Sequence, residues 1–109
     1  MQDSNFRELF LWFIRLRRRY RVTGASMFPL LEAGDEVLVD PRAYRQQPPQ
    51  VGDIVVAQHP GQADLQIIKR VAEVKGDGRF YLQGDNTNES SDSLVPPSLI
   101  LGRVTSKFG

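Results

Sequence analysis

Glycine and proline divide this chain into short segments. Nine glycines and seven prolines are spread along 109 residues, a proportion that favours turns and short strands over long helices. Runs rich in β-branched and aromatic residues stand between these turns, at 20–23, 36–40, 53–58, 65–74, 79–83 and 100–106. The pattern predicts a mainly β fold, a compact, antiparallel and coiled β-domain.

The N-terminal segment has a different pattern. Apolar residues recur there at intervals of three and four, which is helical spacing: Phe6, Leu9, Phe10, Phe13, Leu16 and Tyr20. We predict an amphipathic helix over 4–18, with Ser4 as its N-cap and Glu8 in its first turn. Residues 1–20 then form an N-terminal attachment, and residues 21–109 form the single domain.

Charge is distributed unevenly between these two parts. The first 21 residues carry six arginines against Asp3 and Glu8, a net of +4, whereas the other 88 carry eight basic and eleven acidic side chains. The helix therefore has three interpretations: its apolar stripe packs on the β-domain, it contacts an anionic lipid surface, or it docks an acidic precursor. Nucleic acid is disfavoured as a partner, because the larger part of the chain is acidic.

Composition also excludes several classes of protein. Cysteine is absent, which excludes disulfides, thiolate catalysis and zinc–thiolate sites. The only candidate membrane segment, 9–14, has six residues, whereas a spanning helix needs about 20. It also lacks the flanking pattern of a secretory signal. We therefore expect a cytoplasmic protein without a transmembrane segment.

A serine and a lysine are the best candidates for nucleophilic chemistry. Ser26 lies in a glycine-led turn, and Lys69 follows two isoleucines, so that strand alternation places it on the same face as Ile67 and Val71. Burial lowers the pKa of a lysine, and a neutral lysine can take the proton of a serine hydroxyl. Both residues also have structural interpretations, since serine suits turns and an edge lysine extends its amine to solvent.

A third segment, 84–93, is rich in Gly, Asp, Asn and Ser. Such composition is typical of a solvated turn, and the spacing lacks the acidic alternation and distal glutamate of a calcium loop. We predict no metal site and no cofactor. The single histidine, His59, precedes Pro60 in a predicted turn and is not expected to be catalytic.

Taken together, the three segments resemble the type I signal peptidase family of Ser-Lys endopeptidases in order and spacing. The match extends over about residues 22–104. It contains Gly24-Ala25-Ser26-Met27-Phe28-Pro29, then Lys69-Arg70-Val71, and finally Gly84-Asp85-Asn86 with Ser90 and Asp92-Ser93. The resemblance implies a β-domain of the kind found in signal peptidases and repressor proteases.

The same resemblance implies a role for each matching residue. Ser26 corresponds to the nucleophile and Lys69 to the general base. Ser90 corresponds to the serine that hydrogen-bonds the lysine amine, and Asp92 to the acid that braces its loop. The supporting set is completed by Gly24, Met27, Pro29, Arg70, Gly84, Asp85 and Asn86.

Two positions depart from the family pattern. Gly24 stands where many members carry a hydroxyl side chain as an oxyanion donor, which leaves the second donor open. Leu94 stands where an arginine usually follows the Asp-Ser pair. The ion pair of Asp92 is therefore expected to be missing, or to be supplied by Arg70 or Arg103.

Within the family, two features indicate a specialised member. Only 14 residues separate Lys69 from Gly84, and no membrane anchor is expected. Housekeeping signal peptidases need an anchor and usually carry a large β insertion, so the chain looks more like the maturation proteases of nickel-containing superoxide dismutase. That resemblance implies the dismutase proform as the partner, with nickel belonging to the substrate.

Three alternative functions remain at this point. The first is a membrane-associated signal peptidase for secreted preproteins, with peripheral membrane contact. The second is a regulatory domain like those of self-cleaving repressors, which is disfavoured because the 25 residues before Ser26 contain no Ala-Gly pair. The third is an inactive β-module that binds peptides.

Overall fold

A single coiled sheet forms the body of the protein in a computed structural model, which describes residues 2–3, 5–13, 16–88 and 91–108. In chain order the elements are β1 (Gln2–Asp3), α1 (Phe6–Phe13), β2 (Arg18–Arg21), β3 (Glu36–Asp40), β4 (Ile54–Gln58), β5 (Gln66–Val74), β6 (Phe80–Gln83), β7 (Ser93–Val95), a 3-10 turn (Pro97–Leu99) and β8 (Ile100–Phe108). The predicted fold class, mainly β and antiparallel with a short N-terminal helix, is confirmed.

The strand order places the last strand in the middle of the sheet. The order is β2-β3-β8-β4-β5-β6-β7, and β1 pairs in parallel with β8. Every other pairing is antiparallel. Because β8 lies between β3 and β4, it joins the N-terminal strands to the β4–β7 meander that carries Lys69.

Strand β4 is buried on both of its faces. Ile54 and Val56 belong to one apolar cluster, which also includes Val22, Met27, Leu31, Val37, Val39 and Val104. Val55 and Ala57 belong to the other, with Val71, Phe80, Leu82 and Val95. Successive side chains of a strand point to opposite faces, so the coiled sheet folds around β4 and encloses it.

The N-terminal helix is shorter than the sequence predicted. It ends at Phe13 instead of 18, and Arg18 already begins strand β2. The amide of Glu8 donates to the side-chain oxygen of Asn5 at 3.0 Å, so Asn5 caps the helix, whereas the predicted cap Ser4 lies outside the described residues. Pairing of Arg18–Arg21 with β3 is the tertiary contact that overrides helical periodicity here.

The outer face of α1 is apolar and its inner face is charged. Phe6, Leu9 and Phe10 are 86%, 43% and 53% exposed, while Glu8 is buried. The Glu8 carboxylate accepts hydrogen bonds from the hydroxyls of Thr105 and Ser106 on β8, and Arg17 lies 3.5 Å from it. Glu8 is about 200° from Phe6 around the helix, so anchoring Glu8 turns the apolar stripe outward. For Phe6, Leu9 and Phe10 the interpretation that the predicted stripe packs on the β-domain is wrong, whereas Tyr20 at its far end does pack against an apolar cluster.

Two smaller elements had no clear sequence signal. Strand β1 has two residues, and β7 has three, beginning at the last residue of the segment rich in turn formers. β7 pairs with β6 in a register that places Leu94 opposite Tyr81. The division of the chain into 1–20 and 21–109 stays a prediction.

Close packing of β8 against β3 gives a test of this arrangement. A methyl group added at Gly102 would lie 2.6 Å from both the Asp40 carbonyl oxygen and a Val39 methyl carbon. We expect Gly102→Ala to lower the free energy of unfolding by about 1–3 kcal/mol, since backbone must shift to relieve the overlap. Urea unfolding followed by circular dichroism measures the change.

The matched control is Gly76→Ala, because nothing lies within 4 Å of a methyl group there. It should change the free energy of unfolding by less than about 0.5 kcal/mol. Equal urea midpoints for the two variants would contradict the packing of β8 described above.

Candidate active site

Ser26 lies on a turn whose neighbouring residues are buried in the apolar core. Met27 and Leu31 are 1% and 0% exposed and anchor the turn in the first apolar cluster. The Phe28 amide donates to the Ala25 carbonyl at 3.1 Å, the Leu31 amide donates to the Met27 carbonyl at 2.9 Å, and the Phe28–Pro29 peptide is cis. Ser26 itself is half-buried, so its hydroxyl is held at the rim of a rigid turn.

Lys69 lies in the middle of β5, opposite Val55 on β4. It is 5% exposed, so the interpretation of an amine that reaches solvent from an edge strand is wrong. Burial lowers its pKa from the usual value, because a low dielectric penalises the ammonium form, and the negative charge of Asp92 acts in the opposite direction. The site therefore contains a lysine that releases its proton more readily than a surface lysine.

One cavity of about 520 Å³ contains both Ser26 and Lys69 in its lining. Gly24, Met27 and Ser91 lie at the same cavity, whose walls are the chain before Ser26 (residues 20–23) and the first part of β5 with its preceding loop. The structure thus brings the serine and lysine segments, 43 positions apart in sequence, into a shared space. Ser90, the predicted partner of the amine, lies outside the described residues.

The third predicted segment contacts the first directly. The Asn86 amide donates to the Ser26 carbonyl oxygen at 2.8 Å, and the Asn86 side-chain nitrogen donates to the Ala25 carbonyl oxygen at 3.0 Å. These two bonds leave the Ser26 side chain unconstrained but fix the backbone on both sides of it. Asn86 is therefore a brace for the turn.

Asp85 connects the same loop to β5. Arg70 donates to its two carboxylate oxygens through Nε and Nη2, each at 2.9 Å, and donates through Nη1 to the Gly52 carbonyl at 3.0 Å. The bidentate hydrogen bonds to Asp85 raise the pKa of Arg70. Because Arg70 is the neighbour of Lys69, these hydrogen bonds fix the position of β5 relative to the loop of Asp85, whose next residue hydrogen-bonds the backbone at Ser26.

Asp92 has a partner that the sequence did not indicate. Its carboxylate accepts a hydrogen bond from the Tyr81 hydroxyl. The predicted alternatives do not supply the partner: Arg70 is engaged by Asp85, and Arg103 lines a different cavity together with Asp53 and Thr105. A neutral phenol therefore takes the place of an ion pair.

The remaining predicted residues differ in how close they come to the cavity. Gly24 is exposed, and nothing lies within 4 Å of a methyl group built on it, so the space in front of Ser26 is open on that side. Pro29 is exposed on the turn without lining the cavity, and Gly84 is buried at the start of the bracing loop.

Sequence reasoning missed Tyr81 and Ser91 as residues of the site. Tyr81 reaches Asp92 only because β7 pairs with β6, and β7 gave too short a signal to predict. Ser91 lines the Ser26 cavity, but in sequence it is one of several serines in a polar segment. Periodicity alone does not distinguish these residues from their neighbours.

No cluster of three or more His, Asp or Glu side chains suited to holding a metal ion occurs among the described residues. In the same part of the chain, no helix combines the length and apolar character that crossing a membrane requires.

Comparison with known proteins identifies a family. Residues 8–78, which include Ser26 and Lys69, match the sequence profile of the family described as "Signal peptidase, peptidase S26". The chain is 29% identical to the "Probable signal peptidase I-1" of Synechocystis sp. over 147 aligned positions, which cover 92% of this chain and 74% of the relative.

Two further relatives are more similar over shorter stretches. Identity is 36% with "Mitochondrial ATP-independent inner membrane protease subunit 1b" of Arabidopsis thaliana, over 74% of this chain and 63% of the relative. It is 38% with "Signal peptidase I" of Aquifex aeolicus, over 70% of this chain and 31% of the relative. The chain thus spans about three quarters of the first relative and less than two thirds of these two.

The buried lysine predicts a stability effect with a definite pH dependence. Its pKa is lower in the folded chain than the 10.5 of an ordinary lysine, so below the folded value the protein holds an unfavourable buried charge. The penalty is full at acidic pH and disappears as pH rises towards 10.5. Lys69→Met should therefore increase the free energy of unfolding by ~1 kcal/mol or more at about pH 6, and by less at about pH 9.

Urea unfolding at the two pH values measures this difference. Lys75→Met is the control, because Lys75 is 39% exposed and its loss should change stability little at either pH. A Lys69→Met variant that is less stable than wild type at acidic pH would show that the ammonium form is not penalised.

Proposed function

The chain belongs to the signal peptidase family, peptidase S26, and is a serine endopeptidase by that membership; we propose that Ser26 is its nucleophile and Lys69 its general base. One observation carries this assignment. A lysine with a lowered pKa and a serine on a rigid turn line the same cavity. Neither residue type would be activated if it stood alone at the surface.

The proposed reaction has two halves. Neutral Lys69 takes the proton of the Ser26 hydroxyl while its oxygen attacks the scissile carbonyl carbon, and the resulting ammonium protonates the leaving amine. Water then gives a proton to Lys69 and attacks the acyl-enzyme, which releases the carboxylate product and regenerates Ser26. The backbone N–H of Ser26 is a candidate donor to the oxyanion, with open space beside Gly24 for the substrate carbonyl.

The walls of the cavity suit an extended substrate. β6 pairs with β5 only from Arg70 onwards, so the Gln66–Lys69 part of β5 has β4 on one side and the cavity on the other. The opposite wall continues from β2, which is the end strand of the sheet. A peptide lying between the two walls would pair through its backbone and present its scissile bond to Ser26.

Cleavage by active-site variants tests the dyad. We expect Ser26→Ala and Lys69→Met each to lower kcat/KM at least about a thousandfold, because nucleophile and base act as a unit. The wild-type rate should rise with pH as Lys69 loses its proton. Mass spectrometry of the products of a precursor protein gives both the rate and the cleavage site.

Ser98→Ala is the matched control, since Ser98 is exposed on the 3-10 turn and does not line the cavity that contains Ser26 and Lys69. It should retain full activity. Cleavage that survives both Ser26→Ala and Lys69→Met would exclude the dyad, and it would favour a peptide-binding module whose apparent activity has another source.

As substrate we propose a precursor with an N-terminal propeptide, and in particular the proform of nickel-containing superoxide dismutase, cleaved in the cytoplasm. The support is the short connection after the base. Lys69 and Gly84 are joined by one hairpin of β5 and β6 around Gly78. An alignment of 147 positions exceeds the 109 residues here, so the Synechocystis signal peptidase carries residues without a counterpart in this chain.

A competition experiment tests this substrate. The dismutase proform and a secretory preprotein are mixed in equal amounts with the enzyme, and Ser26→Ala serves as the blank. We expect the proform to lose its propeptide while the preprotein stays intact. Cleavage of the preprotein alone would contradict the proposed substrate and leave the dyad in place.

A membrane-associated preprotein peptidase is the second candidate, and α1 is the observation that favours it. Its exposed apolar side chains lie next to arginines, with the Arg19 guanidinium 5.3 Å from the centre of the Trp12 ring. Such a surface suits anionic lipid. Flotation with anionic vesicles, reduced by Phe10→Ser but not by Val51→Ser, would support this candidate, and a protein that stays wholly soluble would exclude it.

A further inference from the structure

Strand β6 provides a residue that contacts the active-site loop from outside the cavity. Tyr81 pairs across the strands with Leu94, and its hydroxyl donates a hydrogen bond to Asp92. Leu94 has no polar group to offer the same carboxylate. The opposite strand therefore supplies the donor.

The Tyr81 ring is itself held in place. The Lys75 ammonium lies 5.5 Å from the ring centre, and Lys75 forms an ion pair with Glu73 at 3.0 Å. Tyr81 also opposes Glu73 in the β5–β6 register. A side chain fixed at its ring and at its hydroxyl can hold a partner in one position.

The position of Asp92 matters because its charge acts on Lys69. The carboxylate raises the pKa of that amine, whereas burial lowers it. Coulombic interaction in a protein changes steeply with separation. A carboxylate that moved towards the amine would favour the ammonium form, which is inactive as a base.

We propose that Tyr81 is a positioning residue of the active site: it fixes the Asp92 carboxylate and thereby controls the charge state of the Lys69 amine. This inference rests on the proposed role of Lys69 as base. A tyrosine performs this task without adding a positive charge, so that the field of Asp92 at Lys69 depends on geometry alone. An arginine partner would both hold the carboxylate and cancel its charge.

The Tyr81 hydroxyl donates this hydrogen bond over a wider pH range than an ordinary phenol does. The hydrogen bond to Asp92, with burial and the charges of Asp92 and Glu73, raises the pKa of the Tyr81 hydroxyl. Tyr81 therefore keeps its proton, and with it the contact to Asp92, to higher pH than an ordinary tyrosine does.

Other charged and titratable groups face the same region. Tyr20, Arg21 and His59 line the cavity around Lys69, and Arg21 is itself paired with Glu36 at 3.5 Å. Their presence means that a shift in the activity profile must be traced to Asp92 by a double-mutant cycle rather than by one substitution.

The test is the pH dependence of kcat/KM in wild type, Tyr81→Phe, Asp92→Asn and the double variant. Tyr81→Phe keeps the ring under Lys75 and removes only the hydroxyl. The released Asp92 should turn to the Lys69 ammonium and stabilise it. The acid limb, which is the part of the kcat/KM profile that rises as Lys69 loses its proton, should then move to higher pH. The rate on this limb should fall about tenfold and recover at alkaline pH. Asp92→Asn should displace the limb to lower pH, and Tyr81→Phe should have no further effect in that background.

Tyr44→Phe is the matched control, because Tyr44 donates in the same way to Asp53 at 2.7 Å but lines other cavities. It should leave the acid limb in place. An unmoved limb in Tyr81→Phe, or an equal displacement with and without Asp92, would overturn the inference.

A second measurement separates this inference from the proposed function. In the Ser26→Ala background, NMR titration of the Lys69 side chain reports its protonation without any cleavage. We expect the same displacements, upward for Tyr81→Phe and downward for Asp92→Asn. If they occur while wild type cleaves no precursor, the positioning role stands and the proposed function falls; if neither variant moves the titration, the positioning role is wrong.

Discussion

Burial of a single ammonium group is the constraint on which this site depends. A lysine in the middle of a strand must be surrounded by apolar neighbours to have a lowered pKa, and β5 provides them because it places Lys69 opposite Val55 of β4. The same surroundings belong to the second apolar cluster, with Val55 and Val71. The core that stabilises the fold is therefore also the environment that lowers the pKa of Lys69, and the buried ammonium makes that interior less favourable.

The second constraint is the separation between Lys69 and Ser26, which polar groups hold fixed. The guanidinium of Arg70 is forked onto Asp85, and the next residue, Asn86, hydrogen-bonds the backbone at Ala25 and Ser26. A continuous path of charge-assisted and amide bonds thus connects the lysine strand to the serine turn. Such bonds are directional, so they define position better than apolar packing does.

The sequence predicted the strands closely where a turn signal bounded a β-rich run. Glu36–Asp40 was predicted to the residue, and β4, β5 and β6 each differed by one position at the start. Prediction failed where tertiary contacts decide the outcome. Arg18 left the helical pattern to pair with β3, and Glu8 turned the apolar stripe of α1 to the outside by binding Thr105 and Ser106. The partner of Asp92 could not be predicted, because it depends on the register of a three-residue strand.

The positions of Lys69 and Arg70 have a consequence for how this enzyme can change. These neighbours serve two different cavities, one with Ser26 and the other with Arg103 and Asp53. Neighbouring side chains of a strand point to opposite faces, so the register of β5 decides which residue faces which cavity. A shift of one residue would place the Arg70 guanidinium beside Ser26 and the Lys69 amine beside Asp85. Insertions of any length in the turn around Gly78 leave Lys69 facing the Ser26 cavity. A single residue inserted before Lys69 within β5 would turn it to the other face. The length of the hairpin can therefore vary, whereas the register of β5 cannot shift by a single residue.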